Sequence, residues 1–106
     1  MFRSHRPPLL LPLLAAALIP AAAFAETADP AGQVLAGPCS ACHGPDGVSP
    51  GSIPSISGLS EAELIEKLTA FRDAPPEGTT VMQRHAKGYD DAQIAAIARY
   101  ISEAGK

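Results

Sequence analysis

"GPCSACHGPDG", Gly37 to Gly47, carries both cysteines of this 106-residue chain and, at position 43, a histidine directly after the second. The core of the stretch, Cys39-Ser40-Ala41-Cys42-His43, reads C-x-x-C-H. Two thiols at this spacing can each add to one vinyl group of a porphyrin, and a histidine following at once falls beneath the iron. The pattern is therefore an attachment signal for a c-type haem. Cys39 and Cys42 would form the two carbon–sulfur bonds and His43 the nitrogen–iron bond. Thioether formation consumes both thiols and leaves none for a structural disulfide.

Three rival uses of the motif compete with this one. A thioredoxin-like dithiol needs a buried strand before the motif and a larger α/β domain, and the chain has neither the strand pattern nor the length. A zinc clip built from Cys39, Cys42 and either His43 or His85 suffers because a ligand adjacent to Cys42 is badly placed for a tetrahedral site. A plain disulfide suits an oxidising compartment. Haem attachment is the reading on which motif, export and short length agree.

Export is read from residues 1–25. A basic stretch with Arg3, His5 and Arg6 precedes the apolar run "LLLPLLAAALIPAAA", which ends in Ala23-Phe24-Ala25 before Glu26. This is the form of a cleaved secretory signal peptide. As a membrane anchor the run is short of the roughly 20 residues a crossing needs, and Pro12 and Pro20 interrupt it. No stable membrane insertion is expected after cleavage. Residues 26–106 are then one domain of 81 residues. A chain of that size buries only about 60–65% of its extended surface and leans on a disulfide, metal, cofactor or partner.

Charge narrows the partners. The whole chain carries −3; without Arg3 and Arg6, six basic residues face eleven acidic ones, a formal −5. That balance disfavours nucleic acid and anionic membranes, and favours a basic docking face on a protein. Lys67, Arg72, Arg84, Lys87 and Arg99 are expected at the solvated surface, with Arg84 and Lys87 the first candidates for partner contact.

A haem bound by one histidine has an open face, for which methionine and histidine are the common ligands. After the leader the chain offers only Met82 and His85 besides His43. Met82 lies in "PPEGTTVMQRHAKG", where Pro75, Pro76 and Gly78 favour a loop crossing the far face of the haem. Flexible methionines ordinarily fill core gaps, but this polar, turn-rich segment offers little periodic core, so ligation is the preferred role. His85, three residues on, is a competing ligand if Met82 opens a helical turn. With both axial positions filled, the centre carries electrons; an open position would make it an enzyme.

The remaining sequence predicts short helices and no strands. A first helix is expected over Pro30–Ala41, followed by the turn-rich "GPDGVSPGSIPSISG". Ser60 with Glu63 forms a capping box for a second helix, in which Leu64, Ile65, Leu68 and Phe71 share a face. Asp90 or Asp91 caps a last helix whose Ile94, Ile97 and Ile101 make an apolar stripe. Small Ala95 and Ala98 would let this helix approach the first closely. No internal repeat or second domain is evident.

On these residues the chain resembles class I cytochromes c, all-α proteins whose short helices wrap one haem. "CSACHGPDG", "IPSISGL", "LTAFR" and "AKGYDDAQIAAIARYI" resemble the small bacterial members. "TTVMQRHAKGY" more narrowly resembles the single-haem cytochrome subunit of flavocytochrome c sulfide dehydrogenase. The resemblance implies His43 and Met82 as axial ligands, and Pro54 as the residue whose carbonyl accepts a hydrogen bond from the His43 ring. It further implies a periplasmic electron-transfer subunit without catalysis of its own. Such a subunit takes electrons from a flavin-containing sulfide dehydrogenase subunit and delivers them to a soluble acceptor protein, after loading by the haem-attachment machinery. A freely diffusing shuttle of the same fold is the alternative.

Overall fold

A computed structural model describes residues 29–106 together with Pro8, Leu9 and Pro12. The expected signal-peptide cleavage site lies outside the described residues. Four α-helices follow in order: α1, Pro30–His43; α2, Glu61–Asp73; α3, Met82–Ala86; and α4, Asp91–Ala104, with a short 3₁₀ turn over Pro45–Gly47. Among the described residues there is no strand, as expected of an all-α chain. No helix among them is long and apolar enough to cross a membrane.

Local chemistry explains where the helices begin. The Asp29 carboxylate accepts from Ala31 N at 3.0 Å, and Pro30 occupies the first helical position, where its missing N–H costs nothing. The Ser60 hydroxyl accepts from Glu63 N at 3.2 Å while the Glu63 carboxylate accepts from Ser60 N at 2.8 Å. α4 repeats the device, with Asp90 as N-cap and Gln93 reaching back to Asp90 N at 3.0 Å. Each reciprocal pair satisfies two amides that the first turn leaves without partners.

α1 runs two residues beyond its expected end. Gly44 closes it with φ 86° and ψ 163°, a region open essentially to glycine alone. Its N–H still donates to Ser40 O at 3.1 Å. The stop is thus placed after His43 and not after Ala41, so the whole C-x-x-C-H segment is helical. Pro38 interrupts the amide ladder inside α1, on a turn where Pro38 and Val34 are both exposed.

α4 packs against both α1 and α2, and α3 packs against α2. Ile94, Ile97, Ala98 and Ile101 of α4 meet Leu64 and Leu68 of α2 and Ala36 of α1 in one buried cluster. The α1–α4 crossing is close at Gly32, a residue without an expected role. A Cβ on Gly32 would stand 2.6 Å from Ala96 O and 3.1 Å from Tyr100 Cβ. Gly32 on α1 thus lets the helices approach this closely.

Arg72 departs from the expected solvated surface. Only 19% of its side chain is exposed, and it bonds Asp73 at 2.8 Å and Asp91 at 2.7 Å. It also donates to Tyr89 O at 3.2 Å. The guanidinium therefore fastens the end of α2 to the start of α4. Its hydrogen bonds to the Asp73 carboxylate, then to Asp91, hold its pKa above the ordinary arginine value. Asp73 is in turn held below its usual range, chiefly by the bond from Arg72.

Candidate haem site

A cleft of about 760 Å³ opens along the side of the helical cluster, within the roughly 300–1,000 Å³ typical of cofactor clefts. The end of α1 supplies Cys39, Cys42 and His43 to its wall; α3 and the residues around it supply Val81, Met82, His85 and Tyr89. Leu64, Leu68, Ile97 and Ile101 line the cleft and also belong to the buried cluster. The hydrophobic core is thus continuous with the cleft floor. A planar apolar ring laid there would cover this surface with the two cysteines within its reach and a histidine on the same wall, which is the donor set a covalently attached haem requires.

His43 is half-buried, and its Nδ1 lies 2.6 Å from Pro54 O. A carbonyl oxygen only accepts, so Nδ1 carries the proton and donates. Nε2 of a neutral ring then keeps its electron pair for a metal, and the carbonyl raises the basicity of that nitrogen. The loop bearing Pro54 is itself tied down. Gly47 O accepts from Ile56 N at 2.9 Å and from Ser57 N at 3.0 Å, and Ser49 N donates to Ser55 Oγ at 2.8 Å. Gly44 and Gly47 thus position both partners of the His43–Pro54 bond.

The cysteines differ in environment. Cys39 is half-buried against the core, Cys42 is exposed, and neither is in a disulfide. Burial pushes the Cys39 thiol above its ordinary pKa, partly offset by a backbone hydrogen bond. It is therefore a poor thiolate at neutral pH, unlike the low-pKa cysteines of dithiol exchange enzymes. Among the described residues no three His, Cys, Asp or Glu side chains are grouped to hold a metal ion, so a zinc clip lacks its ligand set there.

Met82 is half-buried and packs against the core cluster, whereas His85 is exposed; both line the cleft. The segment before Met82 is turn and loop, with Thr79 Oγ donating to Pro76 O at 2.6 Å. Met82 itself opens the single turn of α3. The cysteine pair and the shared cleft of His43 and Met82 are consistent with a c-type haem held between a histidine and a methionine.

Tyr89 is a further wall residue that sequence reasoning met only as part of "AKGY". Its hydroxyl donates to Leu35 O on α1 at 3.3 Å, while its carbonyl receives Arg72. It therefore joins the wall that carries Met82 to the helix that carries the cysteines. An aromatic with a polar tip near a helix is the only signal the sequence offered for this brace.

Short helices around an apolar cleft, with C-x-x-C-H at the rim, define a c-type haem protein of the smallest kind. The family model described as Cytochrome c matches residues 29–105, and the chain belongs to that family. It is 41% identical over 75 residues to the cytochrome subunit of sulfide dehydrogenase of Chlorobaculum tepidum, covering 71% of this chain and 67% of that one. Cytochrome c-554(548) of Halomonas halodenitrificans is 39% identical over 75 residues, covering 68% and 90% respectively. Cytochrome c-552 of Acidithiobacillus ferridurans is 34% identical over 64 residues, 60% of this chain but 27% of that longer protein.

Proposed function

We propose that this chain is a periplasmic electron-transfer subunit that receives electrons from a flavin-containing sulfide dehydrogenase subunit and passes them to a soluble acceptor protein. The observation carrying the reading is the convergence of Cys39, Cys42, His43 and Met82 on one apolar cleft, with His43 Nδ1 held by Pro54 O. In this reading Cys39 and Cys42 anchor the haem, His43 and Met82 are its axial ligands, and Pro54 orients the His43 ring. Family membership implies a place outside the cytoplasm. The periplasm suits the leader-like residues 1–25 and the requirement for haem-attachment machinery there. The 41% identity to a sulfide dehydrogenase cytochrome subunit supports the choice of donor.

A haem bound in this cleft supplies a one-electron iron couple. The chain's own residues hold it, exclude water and fix its ligands. Leu64, Leu68, Ile97 and Ile101 present an apolar floor, which favours the less charged oxidation state by limiting solvation. The thioether of Met82 is a soft, neutral donor that raises the reduction potential. With His43 and Met82 both holding the iron, the chain would carry electrons and leave no place at the metal for a substrate.

Affinity capture of the tagged protein from a membrane-free periplasmic extract tests the reading. The expected bound fraction shows a reduced c-type haem spectrum, flavin absorption and one larger chain. Covalent haem without flavin or a stable partner would replace the subunit reading by a diffusible shuttle. Loss of covalent pigment in Cys39→Ala/Cys42→Ala checks the attachment residues, and pigment retained after denaturation would refute them.

A further inference from the structure

Met82 and His85 lie one helical turn apart on α3, and both side chains reach the same cleft. Residues at i and i+3 share a helix face, with Cβ atoms about 5–6 Å apart. Met82 occupies the inner position against the core, and His85 the exposed lip. No hydrogen bond or ion pair to the His85 ring is present among the described residues, so turning the ring inward breaks no polar bond to them. We infer that His85 is a reserve axial ligand, which takes the haem iron when the sulfur of Met82 is withdrawn. The inference rests on the proposed ligation by His43 and Met82.

α3 is built to permit the exchange. It has a single turn, its N-cap Val81 provides no side-chain hydrogen bond, and the preceding segment over residues 73–78 is exposed. Arg84 N and His85 N both draw on Val81 O, at 2.9 and 3.3 Å. Ala86, wholly buried, pins the far end of the turn beside His85. Moving the next ligand along by three residues corresponds to about 4.5 Å of helix rise. Rotation of the His85 side chain together with slippage of the uncapped end can share that displacement.

Chemically the step exchanges one neutral donor for another. The iron–sulfur bond breaks, an iron–nitrogen bond to the neutral imidazole forms, and no electron is transferred. A histidine pair gives a lower reduction potential than histidine with methionine. The chain would thus keep a six-coordinate, low-spin centre after losing its usual ligand, at a potential better suited to a different acceptor. It would not become an open, ligand-binding haem.

The test compares the haem-loaded full chain with Met82→Ala and Met82→Ala/His85→Ala by visible and electron paramagnetic resonance spectra, redox titration and binding of added imidazole. The unsubstituted protein should show sulfur-to-iron charge-transfer absorption. Met82→Ala should lose it, remain low-spin with a lowered potential, and bind added imidazole weakly. The double variant should become high-spin and bind imidazole at least ten-fold more tightly. A Met82→Ala protein that is already high-spin and indistinguishable from the double variant overturns the reserve role while leaving Met82 as the ligand. An unsubstituted protein without the charge-transfer absorption, and unchanged by Met82→Ala, overturns the ligation reading itself. If the alanine variant does not accumulate folded, Met82→Leu preserves the packed volume and gives the same comparison.

Discussion

Replacing Gly32 with alanine adds one methyl group where the fold has no room for it. The new Cβ would sit 2.6 Å from Ala96 O and 3.1 Å from Tyr100 Cβ. Ordinary contact begins near 3.4 Å, so α1 and α4 must separate by about 0.8 Å at the crossing. Both the obstructing oxygen and the Cβ belong to the rigid part of α4 and cannot swing aside. Overpacking costs about 1–3 kcal/mol, and against an immovable backbone oxygen the upper part of that range, about 2–3 kcal/mol, applies; alanine's better helix propensity returns at most about 1 kcal/mol. The net loss of about 1–2 kcal/mol corresponds to a fall in Tm of roughly 4–16 °C for a domain of this size. Thermal unfolding of the haem-loaded protein, followed by circular dichroism, measures it. Val34→Ala is the control: Val34 is on the same helix but 76% exposed, and its effect should stay within about 0.5 kcal/mol. A Gly32→Ala protein as stable as the parent would refute the claim that this crossing sets the helix separation.

Three further outcomes are expected. Gly44→Ala forces a side chain into a glycine-only conformation and against the Val48 carbonyl; the yield of haem-bearing protein should fall several-fold, and an unchanged yield would show that the turn after His43 has another solution. Tyr89→Phe removes the 3.3 Å bond to Leu35 O and should cost about 0.5–1 kcal/mol, seen as a Tm lowered by a few degrees with the visible spectrum retained. Glu63 is held below its usual pKa, first by the bond from the Ser60 backbone amide. Because the folded value is the lower one, the stabilisation is complete above the ordinary glutamate pKa of about 4.3 and is lost as pH falls through the folded value. Glu63→Gln keeps a capping side chain without the titration, so its Tm should fall less steeply than the parent's between pH 5 and 3; parallel profiles would refute the assignment.

The parts of this molecule that were legible in its sequence are those decided within one helical turn. Ser60 with Glu63 and an N-cap at Asp90 or Asp91, settled on Asp90 by its bonds with Gln93, are local hydrogen-bond chemistry, and Ile94, Ile97 and Ile101 are a local periodicity that the fold buries together. The C-x-x-C-H motif is equally local. Features that depend on a distant neighbour were not legible. Arg72 reads as one more surface cation until Asp91 is brought within 2.7 Å of it. Gly32 looks like a weak helix residue until Ala96 lies against it. Tyr89 acquires its bond to Leu35 across 54 residues of chain. The end of α1 differs for another reason: Gly44, three residues past the expected boundary at Ala41, carries the helix stop.

The bond between His43 and Pro54 makes the loop a mechanical input to the metal site. Ile53, Pro54 and Ser55 are exposed, and the loop is fastened at its base by Gly47 and by the Ser49–Ser55 contact. A protein resting on that surface would lengthen or shorten the 2.6 Å separation and thereby alter how strongly the ring donates to iron. Association and electron affinity are then thermodynamically linked: whatever the partner does to the midpoint potential, reduction must do in reverse to the partner's affinity. Midpoint potentials measured with and without a saturating partner would reveal the linkage, and equal values would exclude it.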